Sequence, residues 1–138
     1  MRINRIALLI VVCSISTFAL DGKTLGHLIS IPIVEGAGVY SSVSTLVDSD
    51  RSISKAAAAT NLGLMAANVG IGAFTLFGKP QEYGSWRLAH RIAGFALTGA
   101  ALWLSIATST DDNVRDPASY AAYGYTGLTA VPVIMFAF

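Results

Sequence analysis

Residues 56–77 read AAAATNLGLMAANVGIGAFTLF, with no charge and no proline. That is enough length for one helix to cross a bilayer core, which takes roughly 20 mainly apolar residues. What surrounds this stretch decides the fold. A strand would show alternating polarity, and there is none; a core helix of a soluble domain would need polar elements to cover it. The chain does not supply them. Residues 92–110 and 117–138 also carry no charge, and 24–47 carry only Glu35. Charged residues are 12% of the 138, hydrophobic residues 54%, and the mean hydropathy is +0.61, whereas a soluble domain holds about 25% charged residues. Lipid accepts only helices or closed barrels. The sequence therefore predicts an all-α integral membrane protein, an antiparallel bundle of four to five transmembrane helices at about 4–20, 25–47, 56–77, 86–108 and 118–137. The short loops make residues 1–138 one bundle with no second domain.

The first segment has two readings. MRINR followed by IALLIVVCSISTFAL has the basic start and apolar core of a secretory signal, and its uncharged stretch is short for a span. A retained first helix is favoured over a signal peptide covering 1–20. Basic residues divide almost evenly between the two sides, with a slight excess that places the N-terminus inside, and a bacterial inner membrane is the expected location. The net charge of +1 gives no basic field for nucleic acid. Cys13 is the single cysteine, so an internal disulfide and covalent haem attachment through C-x-x-C-H are excluded. G-x-S-x-G, Walker, H-E-x-x-H and dinucleotide motifs are absent, so no catalysis by this chain alone is expected.

Both histidines open an apolar run: His27 in LGHLIS and His90 in WRLAHRIAG. One span separates their helices, which must then run parallel and begin on the same side. The stripe through His27 holds Ile31, Val34, Gly38, Ser41 and Thr45; the stripe through His90 holds Gly94, Leu97, Ala101, Ser105 and Thr108. Gly38 and Gly94 leave room for a flat macrocycle beside a ligating imidazole. Two axial histidines suit a six-coordinate b-type haem. Arg91, with Arg87 and Lys23 each one turn before a candidate residue, offers guanidinium or ammonium groups for a haem propionate.

The run LAHRIAGF resembles the "HR-x-x-G" helix of small membrane b-type cytochromes of the cytochrome b561 and ferric-reductase-like kind. The resemblance covers about ten residues and implies His90 as a haem ligand. Those cytochromes hold two haems on four histidines; this chain has two, so one haem is the most it can hold. His27 as the second ligand rests on topology rather than on the resemblance.

Glu35 is the one charge deep in a span, and an intramembrane acid is a functional candidate by default. It lies about 80° round the helix from His27 and roughly 12 Å deeper. It is read as a protonated group bonded to Asn61 or Asn68, as part of a proton or quinone path, or as a contact to another subunit. Asn61 and Asn68 share one face and are expected to hydrogen-bond between helices. Ala59, Gly63 and Ala67, and Ala66 with Gly70, form a small-residue pattern that lets helices approach closely in lipid. Pro32 and Pro132 are expected to kink their helices. Trp86, Tyr83, Tyr120, Tyr123 and Tyr125 read as interfacial aromatics, and Asp111, Asp112 and Asp116 as a solvated acidic loop rather than a hard-cation site. The favoured reading is an electron-transfer subunit of an oxidoreductase, with haem b between His27 and His90 and a quinone or cytochrome as partner. The alternative is a haem-free accessory subunit among membrane lipid and other membrane subunits.

Overall fold

The computed structural model describes the backbone of residues 22–77 and 83–137, and the side chains of 31–75, 77, 84–131 and 134. The expected helix at about 4–20 lies outside these residues. Among the described residues there are four α-helices and no strand: α1 Gly22–Asp48, α2 Ser52–Phe77, α3 Tyr83–Ser109 and α4 Asp116–Ala137. The residues up to Pro32 form one compact unit and those from Ile33 onward another; the packing that follows is that of the second.

Each helix begins a few residues before its apolar run. Charge marks where lipid compatibility starts, but backbone hydrogen bonding propagates into the polar flank. Lys55 N–H already bonds to the Arg51 carbonyl at 3.1 Å. Asp116 and Pro117 occupy the first turn of α4, where negative charge suits the helix dipole and a missing N–H costs nothing. Pro32 sits inside α1.

Side-chain pairs fix the antiparallel register. Between α1 and α2, Asn61 Nδ2 donates to Ser42 Oγ at 3.0 Å, and one turn along Gly38 faces Met65. Between α2 and α3, Gly72 faces His90, and the Phe74 and Trp86 rings stack at 4.9 Å. Ser105 Oγ and Thr126 Oγ1 join α3 to α4 at 2.7 Å. Thr126 gives its own proton to the Ala122 carbonyl, which makes Ser105 the donor. Residues 33–48 of α1 therefore run parallel to α3.

The distribution of polarity is inverted relative to a water-soluble globule. Ser41, Ser42, Thr45 and Asn61 are fully buried, and much of the remaining core is alanine: Ala57, Ala58, Ala101, Ala107 and Ala122. The outside carries large apolar groups; Val47 is 74% and Phe77 75% exposed. Among the described residues, two helical stretches, Ser52–Thr75 and Gly84–Ser109, are long and apolar enough to cross a membrane.

The α1–α2 and α3–α4 connections meet at one end of this unit in a polar clamp. Ser49 Oγ donates to Asp111 Oδ2 at 2.5 Å, Asn113 N–H to Asp111 Oδ1 at 3.2 Å, and Arg51 Nη1 to the Thr110 carbonyl. Arg115 pairs with Asp48 at 3.3 Å from an exposed position, where such a pair contributes little. The acidic loop is thus solvated only in part. Asp112 and Asp116 are exposed as expected, but Asp111 is 3% exposed, because the first loop covers it. Burial alone raises the Asp111 carboxyl. The Ser49 hydrogen bond, the nearby Ser54 hydroxyl, the Asn113 amide and the Arg51 guanidinium outweigh that and hold it below its ordinary value. Its stabilising contribution is present above the ordinary aspartate value of 3.8 and is lost as pH falls through the lower folded value. Asp111→Asn should therefore unfold at a lower temperature than wild type near neutrality, with the gap closing on strong acidification. Thermal scans across pH check this; a gap that does not move with pH removes the carboxylate charge from the account.

Candidate functional site

The two stripes drawn from the sequence lie on the buried faces of α1 and α3. On α1, Gly38, Ser41 and Thr45 turn inward; on α3, Leu97, Ala101, Ser105 and Thr108 do the same. Each hydroxyl on these faces needs a partner, since an unmatched buried group costs about 1–3 kcal/mol. Thr45 gives its proton to the Ser41 carbonyl at 2.7 Å and Thr108 to the Ser105 carbonyl at 3.1 Å, Ser105 pairs with Thr126, and Ser41 Oγ is buried without a hydrogen-bond partner. Thr98 reaches both the Gly94 carbonyl at 3.0 Å and the Thr129 carbonyl of α4 at 3.1 Å.

Tyr125 is fully buried rather than interfacial. Its ring lies over Gly38, where a Cβ would stand 2.8 Å from two ring carbons and 2.5 Å from Met65 Cε. Tyr120 and Tyr123, 71% and 52% exposed, remain outside. The difference is the helix face: Tyr125 follows Ala118 and Ala122 on the buried stripe of α4. The phenol oxygen stands beside the Asn61 amide without meeting it in hydrogen-bond geometry, and within electrostatic reach of Glu35. Asn61 makes the interhelical bond expected of it, to Ser42. Its Oδ1, Asn68 Oδ1 and Glu35 Oε2 are buried without a hydrogen-bond partner. Glu35 is half-buried on α1.

The other candidates are placed as follows. His90 is half-buried, and its ring packs on Gly72 of α2, where a Cβ would meet His90 Cε1 at 3.1 Å. Gly94, one turn on, is half-buried with nothing within 4 Å of a Cβ. Arg91 and Arg87 are exposed. His27 lies on α1 in the unit ending at Pro32, and its side chain, like that of Lys23, lies outside the described ones. The structure therefore groups Glu35, Gly38, Asn61 and Tyr125, with Asn68 on the same α2 face. His90 stands with Gly72, Trp86 and Phe74 toward the α2–α3 connection.

Sequence reasoning missed Tyr125 and Asp111. The signal for Tyr125 was present, since a glycine in a polar stripe marks room for a large ring, but nothing local says which ring fills it. Compared with known proteins, the chain matches no family model, no curated protein and no solved structure.

Gly38→Val should lower the unfolding midpoint, because the buried Tyr125 ring cannot yield as Met65 can; overpacking of this kind costs about 1–3 kcal/mol. Gly36→Val, with open space at its Cβ, is the control and should leave the midpoint nearly unchanged.

Proposed function

We propose that this protein is a multi-pass integral membrane protein that serves as an accessory subunit, packing through α2 against a helix of a larger membrane partner. The inverted polarity carries the membrane part of this reading. Small and hydroxylated residues line the interior, while Ile33, Val47, Phe74 and Phe77 project outward, a distribution that water penalises and hydrocarbon does not. The α2 stripe carries the subunit part. Ala59, Gly63, Ala66 and Ala67 are exposed, and nothing among the described residues lies within 4 Å of a Cβ at Gly63. Lipid gives no reason to keep a smooth helix face, whereas a neighbouring helix uses it for close backbone approach.

A second reading, an electron-transfer subunit holding one b-type haem, is favoured by one observation: His90 is half-buried with a glycine, Gly72, against its ring. The fit to haem is partial. Gly38, expected as one cradle, is filled by Tyr125 and Met65, and His27 contributes no described side chain.

Gly63→Leu should shift the chain from a larger assembly to its free form on native gels of mildly solubilised membranes. Gly99→Leu, also open at its Cβ but on α3, should not. The optical spectrum of the purified chain, oxidised and then reduced, separates the two readings. The accessory reading expects no haem band; a sharp band lost in His90→Ala replaces it with the haem reading.

A further inference from the structure

The α3–α4 connection and the first turns of α4 border a cavity of about 320 Å³ at the clamp end of the bundle. Its wall includes Ser109, Asp111, Asp112, Asp116, Tyr120 and Tyr123. The hollow beside Ala73, Phe74 and Phe77 is almost wholly apolar, whereas this wall is mostly polar. Asp111 is committed to the clamp through Ser49 and the Asn113 amide. The Asp112 and Asp116 carboxylates are exposed and, among the described residues, make no hydrogen bond or ion pair. The guanidinium groups of these loops are engaged elsewhere, Arg51 on the Thr110 carbonyl and Arg115 on Asp48. Neither arginine lines the cavity.

Such a wall repels anions. It does not suit a bare metal ion either, because among the described residues no three of His, Cys, Asp or Glu are grouped to hold one. Carboxylates and phenol rings around one space suit an organic ammonium, which forms charge-assisted hydrogen bonds with the first and is attracted to the faces of the second. Ser109 and Ser119, both on the wall, give their protons to the Ile106 and Thr108 carbonyls. Their lone pairs therefore add acceptors, which reward a primary ammonium over a quaternary one that has no proton to give. The position narrows the source. Ser109 is the last residue of the apolar stretch Gly84–Ser109, so the cavity lies where a span ends and lipid headgroups begin. From Tyr120 and Tyr123 the outer face of α4 continues to Leu128, Val131 and Ile134, all exposed. Tyrosine is enriched at that boundary.

We propose that this cavity binds the primary ammonium of a lipid headgroup of the phosphatidylethanolamine kind. Asp112 and Asp116 supply the negative charge, and Tyr120 and Tyr123 supply the aromatic wall. Asp111, held by the opposite loop, anchors the segment that carries Asp112. The site rests on the membrane-embedded part of the reading above and not on the α2 stripe, which lies on a different helix.

Native mass spectrometry of the full chain in mild detergent tests it. Phosphatidylethanolamine, phosphatidylcholine and phosphatidylglycerol with identical acyl chains are added in competition. Wild type should retain phosphatidylethanolamine about tenfold better than phosphatidylglycerol, and better than phosphatidylcholine. The preference should collapse in Asp112→Asn/Asp116→Asn and weaken in Tyr120→Leu/Tyr123→Leu. All four positions are exposed, so unfolding midpoints should stay near wild type; should a variant fail to fold, the wild-type competition still decides. Equal retention of the three lipids, or a preference that persists in the aspartate variant, overturns the site. Ethanolamine or N-acetyl-lysine amide that displaces the lipid at equal concentration makes the occupant a free amine or a partner's lysine, and the lipid assignment falls. Extraction of the chain from membranes only by detergent checks the membrane reading separately. A chain that is membrane-bound but indifferent to headgroup loses this site alone.

Discussion

The close approach at Gly38 is the constraint on which the rest of the bundle depends. A ring the size of Tyr125 is fully buried in a core otherwise built largely from alanine and hydroxylated side chains, and it fits because α1 presents no Cβ there. That placement sets how near α4 comes to α1, and with Met65 on the other side it fixes α2 as well. Large side chains interlocking in the core hold a soluble bundle together. Here the apolar bulk is on the outside, so adhesion comes from backbone proximity and from hydrogen bonds such as Asn61 to Ser42.

The two ends of the unit differ in what holds them. At the clamp end, polar loops interlock around Asp111, drawing on Ser49 and Arg51 from one connection and on Asn113 from the other. Toward the α2–α3 connection, aromatic stacking of Phe74 on Trp86 and the His90–Gly72 contact join α2 to α3. Between them lie Glu35, Gly38, Asn61 and Tyr125. A carboxylate midway along apolar helices is tolerated where neighbouring polar groups face it, and the interior stripes of α1, α2 and α4 provide them.

The histidines illustrate how far spacing carries an inference. Their stripes were legible because 100° per residue places Gly38, Ser41 and Thr45 on one face, and Leu97, Ala101, Ser105 and Thr108 on another. Both faces are buried. What occupies the space over them was not legible. A glycine announces room without naming its occupant, and over Gly38 the occupant is a tyrosine eighty-seven positions later in the chain. The acidic loop shows the same limit: Asp111, Asp112 and Asp116 look alike in sequence, and only Asp111 lies under the opposite loop.

By itself the sequence determined the helical class, the helix order and the buried stripes, because uncharged length and a 3.6-residue period act locally along the chain. The helix starts were approximate, because hydrogen bonding runs past the last apolar residue into polar flanks such as Ser52–Lys55. Only the tertiary structure decided the register between helices, the burial of Tyr125 and Asp111, and the grouping of Glu35 with Asn61 and Tyr125. Each of these depends on which residue a neighbouring helix brings to the same level, and that is set by packing between segments far apart in the chain.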